Sequence, residues 1–211
     1  MSPSTVQAQT RTYRGIENGN AGPTEVYTLP PARPLAPMPR GEAAERRTQA
    51  TLWMLKAAES QEAVGREWRH HGVALMAAGI VWDVVRTPYS ALGRGFDRCT
   101  DPRELRSQVQ EMGVGAVWCD PFRPYLYFMV PPGTDRHWPS DMSQAGLDCL
   151  GGTPPYTRHT GVPRLDRLSP PGHYWLVPPD YGGDVLADPV HLHKELRERA
   201  GELSAQTPST P

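Results

Sequence analysis

The chain writes one phrase twice: Tyr127 to Pro132 reads YFMVPP and Tyr174 to Pro179, 47 residues on, reads YWLVPP. Each copy joins aromatic to aliphatic and β-branched residues, which pack well on a pleated, half-buried surface. Each ends in two prolines, which supply no backbone N–H and so stop ladder pairing. The phrase therefore demands at least two short strands with defined ends. Neighbouring strands of one sheet, terminated alike, are the expected arrangement, with a ligand-binding role for the prolines as the alternative. Alternation places Tyr125, Tyr127 and Met129 on one face, Leu126, Phe128 and Val130 on the other, and His173 on the side of Trp175. The residues flanking the two copies do not match, and a solenoid needs at least ~3 units, so this is not a structural repeat.

Helices are expected on either side of these strands. Gly41 to His71 is rich in helix formers, with Leu52, Leu55, Val64 and Trp68 at helical spacing, and predicts one long helix or two short ones. VALMAAGIVWDVVRTP, from Val73 to Pro88, predicts two strands or one strand bent at Gly79. Thr100 to Met112 carries Asp101 as a cap, Pro102 in the first turn and Gly113 past the end, a complete helix grammar. Asp188 and Pro189 open a second such segment that Gly201 is expected to close. GVGAVWC adds a strand, and a short helix is expected around Ser143 to Leu150. The sum is a single α+β domain over residues 41–201, with a mostly antiparallel central sheet and helices near its edges or on one face.

Residues 1–40 and 202–211 are poor in large apolar residues and rich in Pro, Ser, Thr and Gln, so they are expected to be disordered tails. Within the first tail, Thr28 to Arg40 (TLPPARPLAPMPR) is a polyproline segment of the kind that captures a protein partner. The net charge of −1 lacks the basic excess of a whole-chain nucleic-acid binder. Cys99, Cys119 and Cys149 are odd in number and widely spaced, against a disulfide framework or a structural zinc site. No stretch approaches the ~18 apolar residues of a membrane span, and a cytoplasmic protein without a membrane partner is expected.

Few residues suggest chemistry. His173 is delivered by a glycine loop onto an aromatic strand, where it is either a phosphate contact or an ordinary strand-edge histidine. Asp83, inside IVWDVV, and Asp120, ending VGAVWCD, are candidate metal ligands, although neither has a second acid beside it in sequence. Tyr156 to His173 reads as a loop whose Arg158, Arg164 and Arg167 suit a phosphate group, with ordinary solvated charges as the simpler reading. His191 and His193, two apart on a helix, point to different sides and make a poor metal pair.

The order helix, EWRHHGVALM, acid-bearing strand and Gly-His-aromatic strand resembles the N-terminal domain of bifunctional primase-polymerases over residues 62–180. In that family an early strand carries two metal-binding acids separated by one residue, and a later strand carries a histidine that contacts the incoming nucleotide. The resemblance implies Asp83 or Asp120 as one acid and His173 as the histidine. Val85 stands where the second acid belongs, and Pro171 where a small hydroxyl residue belongs before the histidine. The resemblance therefore implies a non-catalytic binding or regulatory protein that needs no cofactor and meets a nucleotide or nucleic acid through the Arg-rich loop. The alternative is an active nucleotidyl transferase using Mg or Mn, and a second is an interaction module using residues 28–40. WDVVRTP, YFMVPPGT and YWLVPPD also resemble a group of short actinomycete proteins, which implies a role in development or secondary metabolism.

Overall fold

A computed structural model of the chain describes residues 43–205, except 145, 153–156 and 181–184. The expected N-terminal arm, its polyproline segment 28–40 and residues 206–211 lie outside the described residues. The first helical stretch resolves into two helices, α1 (Ala43–Met54) and α2 (Gln61–His71), joined through a 3-10 turn at Leu55–Ala57. Ser60 caps α2 by accepting the Ala63 N–H, and Gly72 closes it in the left-handed conformation. Then come β1 (Val73–Ala77), β2 (Asp83–Pro88), α3 (Pro102–Glu111), β3 (Val117–Asp120) and β4 (Tyr125–Val130). The chain continues through α4 (Ser140–Gln144), β5 (Asp148–Leu150), β6 (His159–Pro163), β7 (Tyr174–Val177) and α5 (Pro189–Ala205).

The architecture is α+β with antiparallel pairing throughout, in a five-stranded sheet of order β5-β2-β4-β3-β7 and a two-stranded ribbon of β1 and β6. The two copies of the aromatic phrase are β4 and β7. They share one sheet, but β3 lies between them, so the expectation that they are neighbours is corrected. VWCD supplies four buried residues in a row and fits a position covered on both faces, which displaces β7 to the edge. Both strands end at the residue before their diproline.

Helices cover both faces, not one. On the first face, Leu126, Phe128 and Val130 pack with Val85, Val117, Tyr174 and Leu176 under α3 (Leu105, Val109) and α5 (Leu192, Leu196). On the second, Met129, Trp118 and Trp175 pack with Val84 under α1 (Met54), α2 (Val64, Trp68) and the ribbon (Ala74, Met76, Val162). Three further expectations are corrected. The short helix runs over Ser140–Gln144, and Asp148–Leu150 is strand β5, held beside β2 by its ladder and by Arg86–Asp148 at 2.6 Å. His159–Pro163, inside the expected Arg-rich loop, is strand β6, recruited by β1 despite its Gly and Pro. Asp188 caps α5 through the N–H groups of Val190 and His191, but the helix passes Gly201 and ends at Ala205. Among the described residues no helix is long and apolar enough to cross a membrane.

Gly79 makes β1 and β2 separate strands in separate sheets. Its N–H bonds Trp82 O at 2.7 Å, its φ is +92°, and a Cβ there would stand 2.3 Å from Gly152 Cα. Positive φ and backbone contact both exclude a side chain. Gly79→Ala should destabilise the fold by about 3 kcal/mol. Urea unfolding at equilibrium would read this as a lower midpoint with an unchanged slope.

Candidate functional site

The second face of the large sheet carries a row of large side chains in cross-strand register: Asp148 on β5, Arg86 on β2, Tyr127 on β4, Trp118 on β3 and Trp175 on β7. Tyr127 stacks on Trp118 with centroids 5.2 Å apart and planes 6° from parallel, and Trp118 meets Trp175 edge-on at 5.3 Å. Trp118 and Trp175 are fully buried, whereas Tyr127 and Arg86 are only partly covered. The row thus runs from a packed core out to an accessible end. Arg86 also lies over the Tyr125 ring, 5.0 Å from its centroid.

His173 completes this end. It lies on the side of Trp175, as alternation requires, with its ring 6.5 Å from Tyr127 and 20° from parallel. Its Nδ1 is 3.2 Å from Gly161 O on β6, and its Nε2 is 3.2 Å from Asp120 Oδ2. Both partners are acceptors, and the tautomer of the ring decides which of them a neutral imidazole donates to. Asp120 is 5 % exposed and its other oxygen accepts the N–H groups of Phe122 and Arg123, at 2.9 and 3.4 Å. Strand β3 aims Asp120 at this face because Cys119 must fill the other core. Burial first, and then the Asp120 charge, raise the Tyr127 phenol above its ordinary range, so it stays a neutral donor.

Of the residues singled out in sequence, His173 and Asp120 come together and Asp83 does not join them. Asp83 pairs with Val130 at one end of β4 and Asp120 with Tyr125 at the other, five residues away, or about 17 Å along the strand. Alternation also puts the two carboxylates on opposite faces. A single metal ion with ligands at about 2 to 2.6 Å cannot take both. Arg164 forks onto Asp166 with two 2.6 Å bonds. Arg167 donates to Pro171 O and lies across Gly72, while Arg158 is exposed at the start of β6. The three arginines therefore do not converge, and only Arg167 reaches the turn that leads into His173. His191 bonds Met112 O at 2.7 Å and His193 sits edge-on to Trp138, in line with their expected divergence. Among the described residues no group of three His, Cys, Asp or Glu has the geometry to hold a metal ion.

Sequence reasoning missed Arg86 and Asp135. The first follows from alternation once β2 is placed. Asp135 sits in a 3-10 turn, and only tertiary folding brings it to Asp83. Asp83 is fully buried. It accepts the Asp135 N–H at 2.9 Å through Oδ2, and among the described residues no donor reaches Oδ1. The Asp135 carboxyl is also within hydrogen-bonding reach, and its charge opposes ionisation of Asp83. Burial foremost, with the Asp135 charge adding, raises the Asp83 carboxyl to about 6, and the same two acids help push the Cys149 thiol up.

Because the folded-state value lies above the ordinary 3.8, the native state binds more protons than the unfolded chain between roughly pH 4 and 6. Stability should fall as pH rises through that window and level off above it. With screening through the half-exposed Asp135 allowed for, the loss is on the order of 1–2 kcal/mol. Asp83→Asn should flatten this slope and be more stable than the parent near neutral pH, which urea midpoints from about pH 4 to 8 would measure.

No protein-family model, no curated protein and no solved structure matches this chain, so the assignment of the site rests on its own geometry.

Proposed function

We propose that the chain is a binding or regulatory protein on a primase-polymerase-like scaffold, taking a nucleotide or nucleic-acid base at the accessible end of the aromatic row. The observation that carries this reading is the convergence of the His173–Asp120 pair, the stacked Tyr127 ring and the Arg86 guanidinium on one face. A partly exposed aromatic on a sheet offers a stacking platform for a base, worth ~1–3 kcal/mol, and the neighbouring Arg86 guanidinium and His173 ring suit phosphate as donors. Binding without catalysis is supported by the placement of Asp83 and Asp120 on opposite faces, each held by protein groups.

Titration calorimetry with the four ribonucleoside triphosphates, with and without Mg, should show binding that Tyr127→Leu and His173→Gln each weaken at least tenfold. Primer extension in Mg or Mn should yield no product. Absence of any nucleotide binding would overturn the reading. The second reading, a nucleotidyl transferase, draws on the Asp83–Asp135 carboxyl pair. Metal-dependent extension abolished by Asp83→Ala would establish it and sink the first.

A further inference from the structure

Residues 121–124 (PFRP) form the tight turn from β3 to β4, and the turn is held from several sides. Asp120 Oδ1 accepts the N–H groups of Phe122 and Arg123 at 2.9 and 3.4 Å, the Tyr89 N–H donates to Pro124 O at 2.8 Å, and a proline ring fixes φ at either end. A turn so restrained has little freedom left to lose on binding. Its two central side chains nevertheless face solvent. Phe122 is 73 % exposed, the most of any large apolar side chain among the described residues. Arg123 beside it is exposed and has no ion-pair partner among those residues.

A single exposed apolar side chain is ordinary, and what distinguishes Phe122 is its place. One carboxyl group separates its turn from the candidate site, since Asp120 holds the turn through Oδ1 and meets His173 Nε2 through Oδ2 at 3.2 Å. Strand β4 leaves the turn with Tyr125 and then Tyr127 on the face of His173, both partly exposed and about 7 Å apart along the strand. Burial leads the balance that raises the Tyr127 phenol, while the Arg86 and Arg123 charges oppose it, which puts both guanidinium groups near that hydroxyl. Arg86 also lies over the Tyr125 ring. The surface from His173 to Phe122 therefore interleaves rings with hydrogen-bond donors. Asp148 offsets the charge of Arg86, and Arg123 is left as the unopposed cation.

We propose that this surface takes a single strand of nucleic acid, with Phe122 stacking the base next to the one held at Tyr127 and His173 and with Arg123 on the phosphate between them. The proposal rests on the base site described above and adds a second nucleotide to it. A lone nucleotide has one base and leaves Phe122 free. A duplex keeps its bases stacked inside, whereas an unpaired strand can splay them onto aromatic rings. Stacking accepts any base by its π-face, and cations between the rings follow the backbone. Single-stranded RNA and DNA share this chemistry, and experiment separates them.

Fluorescein-labelled oligothymidylate and oligouridylate of about ten nucleotides, a length within the span of single-strand binding surfaces, are titrated into the full chain and followed by anisotropy at about 50 to 200 mM salt. UTP, measured by calorimetry, is the single-nucleotide reference. At least one strand should bind about tenfold more tightly than UTP or better, because linked contacts act at high local concentration. Phe122→Leu should weaken strand binding by about fivefold or more, leaving UTP binding and the melting temperature unchanged, and Phe122→Trp should retain strand binding because it keeps a ring. Arg123→Gln should weaken the strand and lower the slope of log affinity against log salt by about 0.7, the share of one phosphate. Tighter oligothymidylate assigns DNA, tighter oligouridylate assigns RNA, and equal affinity assigns a surface that ignores the sugar. UTP binding without tighter strand binding overturns the proposal and leaves the base site standing, and strand binding that Phe122→Leu leaves intact overturns it as well. Strand binding lost in Phe122→Leu but untouched by Tyr127→Leu keeps the turn as a strand contact and removes the base site. No binding of either ligand overturns both.

Discussion

Strand β4 must be buried on both of its faces, and the rest of the molecule is arranged to satisfy that demand. Leu126, Phe128 and Val130 point one way and Met129 the other, all fully buried, with Tyr127 half covered. A strand apolar on both sides belongs at the centre of a sheet with a layer on each face. β4 accordingly lies third of five, flanked by β2 and β3. One layer comes from α3 and α5. The other is completed by α1, α2 and the β1–β6 ribbon, where the indoles of Trp68 on α2 and Trp175 on β7 bond the β6 carbonyls of Val162 and Pro163 at 2.9 and 3.1 Å.

A sheet built outward from its centre must also manage its edges. Strand β7, four residues long, forms one of those edges, and its Trp175 N–H bonds Arg167 O at 2.7 Å. Arg106 on α3 meets it with a bond to Leu176 O at 3.1 Å and lies 3.5 Å from Trp175 O, and a further bond to Leu168 O at 2.8 Å ties in the segment before the strand. At the other edge, β5 is only three residues long and the Arg86–Asp148 pair ties its first residue to β2. The same arginine that secures β5 stands in the aromatic row, so edge protection and the candidate binding surface share a residue.

The buried polar groups divide by how they are satisfied. Asp120 accepts two backbone N–H groups and meets the His173 ring. Asp83 gains one donor and a second acid, an arrangement that favours the neutral form. Tyr89 gains no hydrogen-bond partner among the described residues. Three polar groups at comparable depth are thus satisfied in different ways: by two N–H groups and an imidazole, by one N–H beside a second acid, and by no hydrogen-bond partner among the described residues.

Much of the local structure was legible in the chain itself. Asp101–Pro102 and Asp188–Pro189 open their helices because capping and proline geometry act within one turn. The diprolines end β4 and β7 because a missing N–H is a property of the residue. Alternation alone placed His173 beside Trp175. The order of strands was decided only by the tertiary structure, which inserted β3 between the paired phrases, and so was the recruitment of HTGVP into β6. Those choices depend on which faces must be buried together, a sum over residues far apart in sequence. The candidate site divides the same way. His173 and Asp120 each drew notice for their setting on a strand, but their meeting, the separation of Asp83 and its pairing with Asp135 arise from packing between elements, which no local spacing encodes.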